Sequence, residues 1–461
     1  MPSSEPMPNI GDHAEPIAGA EPPQRQMPGI LQLAWPAVLG NLLYSTVAMV
    51  DIKIVGSLGA SAVAAVTTGN RIFFVFQAVI MATSAGTTAM VARAWGAEDH
   101  DEAERITKVS VIVGAGVGLL LSMPGILFSD SLASVFRLEP ETIAQASDFI
   151  FYLSFFNVSF AISMILGAAI RAAGDTLTPL WIGAITNVVN VVLVYALVFG
   201  RLGAPEMGVK GAAVATGAAF TLGAVLSILF WLKGWFRIQY TRSKSFSAHR
   251  LQQLFKIGAP SGLEQGAVQL GFILFLWIVS FYGTAPYAAY GIGVQILSFS
   301  FVVGFGFSIA ASTHIGQRLG ANDPDGATHS GWRALSLSVA CMVVLGGVII
   351  FFAEPIARFM IDDDEVVRLT VIFIYILGAV QPLMAIEFTL GGALRGAGDT
   401  RFPLLTTITG LLVIRGTVAG VFLWMGLSVE WIFAALIFDY VVKAAMLITR
   451  FRRGRWKTIH I

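Results

Sequence analysis

The side chains able to do chemistry in this sequence are few and far apart. Asp51, Glu264, Glu387, Arg415, Asp439 and Lys443 each stand inside a long apolar run. An ionised side chain in hydrocarbon costs at least ~2.5–3.5 kcal/mol on insertion scales, so each needs a partner or a task. The task open to such a carboxyl is to take up and release a proton or small cation. Asp51 is the acid of the first half. Asn187 and Asn190, one turn apart on one face of a later run, offer hydrogen bonds to a protonated or Na⁺-bound Asp51, and Asn157 can join them. Simple pairing of Asp51 with Arg71 or Lys53 is the structural alternative. In the second half, Glu264 and Glu387 lie roughly 12–14 Å from the helix ends at 1.5 Å per residue, which lets them share a depth. Coupling or substrate binding is one reading of this pair, and a salt bridge to Arg415 the other. Asp439 and Lys443 have the favourable i,i+4 order and Arg415 reaches a comparable depth, so these three read as a structural charge network.

The elements that must position these groups follow from composition. Of 461 residues 56% are hydrophobic and 12% charged, against about 25% charged in a soluble domain, so the chain belongs in a lipid bilayer. The net charge of +1 gives no sign of a nucleic-acid partner. The single Cys341 excludes an internal disulfide and reads as a small packing residue. Neither a phosphate-binding Gly-x-x-x-x-Gly-Lys loop nor a His-Glu-x-x-His or Gly-x-Ser-x-Gly element occurs, which argues against an ATP-driven pump or a hydrolase. No cofactor is called for.

A spanning helix needs about 20 apolar residues, and about twelve such stretches can be marked, the fourth running unbroken over 143–170. Lys and Arg concentrate in the even-numbered connections and the last residues. The odd connections are poorer, with Arg137, Arg201, Lys210, Arg358 and Arg368, so both termini are placed in the cytoplasm. The expected organisation is a disordered cytoplasmic tail over 1–28 and a first lobe of six spans over 29–232. A cytoplasmic linker over 233–254, a second lobe over 255–450 and a basic tail over 451–461 complete it.

The chain is written twice. Gly391–Pro403 reads GGALRGAGDTRFP and Gly167–Pro179 reads GAAIRAAGDTLTP; Pro36 and Pro260, Gly96 and Gly320, and Arg171 and Arg395 share one offset (260 − 36 = 224). Six spans per copy make the copies enter the membrane in the same direction, related by an axis along its normal, with a central cavity between two bundles. Within the motif, Arg171 with Asp175, and Arg395 with Asp399, are placed to cap helix ends and pair locally.

This duplicated motif, the placement of Asp51, Gly56 and Gly59, and the twelve spans together resemble the multidrug and toxic compound extrusion (MATE) family over essentially the whole chain after the tail. Arg415 in the eleventh span with Asp439 and Lys443 in the twelfth is similar to its DNA-damage-inducible F branch. The resemblance implies an all-α, twelve-span inner-membrane antiporter, both termini cytoplasmic, that exports amphipathic, often cationic compounds in exchange for H⁺ or Na⁺. It implies coupling at Asp51, and on the seventh and tenth helices at Glu264 and Glu387. Where relatives carry a further polar residue four positions beyond Asn190, this chain has Val194, which leaves a Na⁺ cage short of oxygens and favours the proton. A cavity for flat, greasy cations is expected at Tyr44, Met49, Phe155, Gln269, Trp277, Gln295 and Met384. The protein is expected to act as a monomer. A flippase for a lipid-linked oligosaccharide, or less so a channel, is the competing reading.

Overall fold

The computed structural model describes residues 28–136, 138–240, 247–459 and 461. The expected tail, apart from Pro28, and Arg137, Arg242 and Lys244 lie outside the described residues. The first bundle comprises α1 (Ile30–Gly56), α2 (Ala60–Gly96), α3 (His100–Leu127), the short α4 (Ser129–Ser134), α5 (Pro140–Ser154), α6 (Asn157–Ala172), α7 (Leu177–Phe199) and α8 (Val209–Leu232). The second comprises α9 (Ala248–Ser280), α10 (Thr284–Gly320), α11 (Pro324–Phe351), the short α12 (Ala353–Met360) and α13 (Asp364–Gly396). It ends with α14 (Arg401–Thr407), which runs through a π-helical segment (Ile408–Arg415) into α15 (Gly416–Trp424), and α16 (Val429–Arg453). Eleven of these are long and apolar enough to cross a membrane, or up to twelve if the bent α5–α6 pair is one span.

The repeat register reappears as helix boundaries. Both ends of α2 and α10 differ by the repeat offset (284 − 60 = 224 and 320 − 96 = 224), as do those of α3 and α11 (324 − 100 = 224 and 351 − 127 = 224). Helix ends coincide because the same breakers recur: Gly59 and Gly283 precede α2 and α10 at φ 112° and 98°, and Asp99 and Asp323 cap α3 and α11 through the backbone N–H of Glu102 and Gly326.

The fourth span departs from expectation. It is not continuous over 143–170 but bends by 54° at Phe155–Phe156. The Ser122 hydroxyl of α3 donates to the Ser154 carbonyl at 2.7 Å, while the Phe156 N–H turns to Leu153 instead of continuing the α ladder. Gly118 admits this crossing, since a Cβ there would stand 2.8 Å from the Asn157 carbonyl oxygen. Its repeat counterpart, α13, stays helical throughout. Cys341 is also placed otherwise than expected, on an exposed face of α11 and not in the packing.

The bundles meet along α1, α2, α9 and α10, and their closest approaches lie at the end that carries the Arg-rich connections. A Cβ on Gly96 would stand 1.9 Å from the Gln317 carbonyl oxygen, and one on Gly320 2.0 Å from that of Arg93, so two backbones touch around the pseudo-two-fold. Gly258 also lies close on Ala82, where a Cβ would stand 2.5 Å from the carbonyl oxygen. Polar ties reinforce the seam. Gln317 donates to the Ala172 carbonyl at 2.7 Å, His314 to that of Pro28 at 2.7 Å, and Arg93 to that of Ile459. Arg250 grips Glu102 through two bonds of 2.6 Å. Toward the other end the same helices expose Tyr44, Met49, Val75, Val79, Ile273, Trp277 and Tyr287.

A Gly320→Val change should therefore pry this end apart, at the 1–3 kcal/mol typical of overpacking. With Cys341 replaced by Ala and spin labels on Asp101→Cys and His329→Cys, the label-to-label distance should lengthen, whereas Gly116→Val, in open space on α3, should leave it unchanged.

Candidate functional site

Two polar places lie inside the apolar bundles, and they are built on opposite principles. In the first bundle, Asp51 sits near the far end of α1 and packs toward α7, where the Asn190 side-chain N–H donates to Asp51 Oδ2 at 2.8 Å. The second carboxylate oxygen, Asp51 Oδ1, and the amide oxygen of Asn190 are both buried without a donor. Neither Lys53 nor Arg71 forms an ion pair among the described residues, so that alternative is not what the structure holds. Tyr44, two turns earlier on α1, directs its hydroxyl toward Gln77 and lies within range of the Asp51 charge.

The sequence expectations for this half are met unevenly. Asn190 reaches Asp51. Asn187 is half-buried and makes no hydrogen bond among the described residues. Asn157 does not join them. It opens α6 at the bend, fully buried, with both amide atoms unpartnered. Its repeat counterpart, Gln381 (381 − 157 = 224), donates to Ser300 at 2.6 Å, but the position matching Ser300 is Phe76 (300 − 76 = 224), which offers no acceptor. Val194 is completely buried in the apolar core and brings no oxygen.

In the second bundle the acids deep in the helices are paired. A recess is lined by Glu264, Gln265, Glu387, Arg395, Arg415, Tyr440 and Lys443, with Phe272, Phe301, Phe305 and Phe388 as its apolar wall. Arg395 donates to Glu264 at 2.9 and 3.2 Å and to the Ser308 hydroxyl at 3.2 Å. Lys443 bonds Glu387 at 2.8 Å and lies 3.3 Å from Asp439, which also takes the Arg415 guanidinium. Tyr440 roofs the set, with the Lys443 ammonium 4.4 Å from its ring centre and Arg415 at 5.7 Å. The π-helical segment carries Arg415 inward, and Gly410 lets α16 close on it, since a Cβ there would stand 2.4 Å from Asp439 Oδ1.

Several expectations change here. Arg415, Asp439 and Lys443 do form one network, but neither Glu264 nor Glu387 pairs with Arg415. Arg395 and Asp399 do not pair locally: Arg395 goes to Glu264, and Asp399 holds Arg450 at 2.7 Å. Asp175 does cap its helix, through the N–H and hydroxyl of Thr178 at 3.0 and 2.6 Å. Met384 is fully buried in the core of the second bundle and lines no cavity. Tyr44, Met49, Phe155, Trp277 and Gln295 are exposed and Gln269 half-exposed, and none of them lines the charged recess. Sequence reasoning missed Arg395 and Tyr440 as members of that recess. A signal existed for Arg395: its acid, Glu264, stands where the first copy has Gly40, so the arginine common to both copies gains a partner in one only.

The MatE family model matches residues 36–196 and 260–421, one block in each bundle. A probable multidrug resistance protein NorM of Thermotoga maritima is 31% identical, over 94% of this chain and 95% of its own. The multidrug resistance protein NorM of Burkholderia vietnamiensis is 29% identical over 82% and 83%. Among solved structures, a MOP superfamily transporter from Pyrococcus furiosus superposes with a TM-score of 0.85 at 19% identity, over 92% of this chain and 94% of that one. A multidrug resistance MATE family transporter in an outward-facing conformation gives 0.85 at 20%, over 92% and 94%. The chain belongs to the multidrug and toxic compound extrusion family, a family of membrane transporters and not of enzymes, and its fold is the twelve-helix, two-bundle fold of those structures.

Because Arg415 and Asp439 are almost fully buried, Asp439→Asn should cost about 3–5 kcal/mol by stranding a cation. Thermal unfolding in detergent should show the loss, and the double change Arg415→Met/Asp439→Leu should recover most of it.

Proposed function

We propose that this protein is a multidrug exporter of the inner membrane that moves amphipathic, often cationic compounds outward in exchange for protons, with Asp51 as the coupling group. The observation that carries the reading is the pair of donorless acceptors at Asp51 Oδ1 and Asn190 Oδ1. An ionised carboxylate accepts only, so with Asp51 charged both atoms stay unsatisfied, at about 1–3 kcal/mol for each such buried group. One proton on Oδ1 supplies the donor that both lack and turns the contact into a reciprocal acid–amide pair. Na⁺ is the weaker candidate, since it wants about six oxygens and Val194 supplies none. Glu264 and Glu387 each hold a base already, so they act in coupling only if a pair first opens.

The excess of Lys and Arg in the connections at one end supports reading that end as the cytoplasmic one. On that reading the tight seam at Gly96 and Gly320 is the closed inner gate, and the exposed faces around Tyr44, Met49 and Trp277 open outward. Protonation of Asp51 in this arrangement removes its negative charge near the opening and releases a cationic substrate. Rocking of the bundles then exposes Asp51 inward, where proton loss restores attraction for the next one. A flippase for lipid-linked oligosaccharide is disfavoured by the recess of the second bundle, where three acids balance three bases.

In inverted vesicles, ethidium uptake should follow an imposed proton gradient and not an imposed Na⁺ gradient. Asp51→Asn should abolish it while the protein still unfolds cooperatively. Proton-driven transport at the wild-type rate in that variant would rule out Asp51 as the coupling group.

A further inference from the structure

The carboxy-terminal turn builds a second binding place that the transport path does not use. With 25 residues at 1.5 Å each, α16 is about 37 Å long and exceeds a hydrocarbon layer of about 30 Å, so its last turn stands at the membrane boundary. Gly454 ends it in the left-handed conformation at φ 67°, and the next turn is fixed from below. Trp456 is fully buried, stacks on Phe451 with ring centres 4.8 Å apart, and donates its ring N–H to the Phe451 carbonyl at 2.9 Å. Arg453 and Arg455, on either side of Gly454, are therefore held in the open by a rigid turn.

Between this turn and the start of α14 runs a groove lined by Phe402, Ala445, Met446, Thr449 and the guanidinium-bearing Arg450, Arg453 and Arg455. Ala445, Thr449 and Arg453 follow one another at i,i+4 on α16, so the apolar floor runs from the arginines about 12 Å along the helix toward the bilayer centre. Arg450 is already neutralised by Asp399 and lies over the Phe402 ring, 5.1 Å from its centre. Arg453 and Arg455 have no ion pair among the described residues. Two fixed, uncompensated cations at the head of an apolar channel match one chemistry, an anionic headgroup continuous with a hydrocarbon tail.

We propose that this groove binds an anionic phospholipid of the adjoining leaflet, its phosphate between Arg453 and Arg455 and one acyl chain along Ala445, Met446 and Phe402. A soluble anion would gain nothing from the floor, and a zwitterionic lipid would bring its own cation against the two arginines. The residues that leave the turn end at the bundle seam, where Ile459 accepts from Arg93, so the occupant also steadies the strap that crosses the closed end.

The test uses the full chain, stripped of lipid in detergent and titrated with dioleoylphosphatidylglycerol or dioleoylphosphatidylcholine under native mass spectrometry. The wild type should hold one phosphatidylglycerol that Arg453→Gln/Arg455→Gln binds about 30-fold more weakly, the effect of removing two interfacial charges. Ala445→Trp, which fills the floor and leaves both arginines in place, should lose it as well. Equal binding of the two lipids, or unchanged phosphatidylglycerol binding in the arginine variant, would overturn the proposal. Displacement of the lipid by millimolar inorganic phosphate with no effect of Ala445→Trp would overturn it too, in favour of a soluble anion.

Discussion

A charge inside hydrocarbon must meet an opposite charge or lose its own, and the interior of this protein is arranged around that constraint. In the second bundle the constraint is met by pairing, with Glu264 on Arg395, Glu387 on Lys443 and Asp439 on Arg415. In the first bundle it is not. Among the described residues Asp51 takes one hydrogen bond, from the neutral amide of Asn190, where a carboxylate can accept several. The deep acids of one bundle are therefore each held by a base, while that of the other has a neutral partner.

The duplication serves the contact between the bundles. Equal helix lengths bring Gly96 and Gly320 to equivalent places on the two sides of the axis, where each takes the other bundle's backbone. The polar ties across the seam end largely on backbone carbonyls. Apolar side chains also cross it, Ile30 and Leu33 of α1 in one core with Phe307 and Ile315 of α10, and Leu254 and Ile257 of α9 in another with Met90 and Ile106. Two further cores lie inside single bundles, around Phe149 and Val194 in the first and around Phe373 and Phe433 in the second.

Legibility in the sequence varied with the range of the interaction. The spans could be read because hydropathy is local, and the repeat register because Pro, Gly and Arg recur at one offset. The bend in the fourth span could not, since it depends on a hydroxyl from α3, Ser122, that reaches the Ser154 carbonyl from 32 residues away. The link between Asp51 and Asn190 was within reach, as both are polar residues on otherwise apolar faces. The partners of Glu264 and Glu387 were not. Depth along a helix narrows the choice of cation to a few, and only the rotation of α9, α13 and α16 about their axes selects among Arg395, Arg415 and Lys443. Met384 failed for the same reason, since composition does not say which way a methionine turns.

The sequence by itself determined the membrane class, the duplication, the family and the short roster of intramembrane charges, because each of these is a property of residue type and spacing along one chain. The tertiary structure decided which of those charges are compensated. Compensation requires two side chains on separate helices to meet within about 3 Å, and that meeting depends on how the helices are rotated and packed.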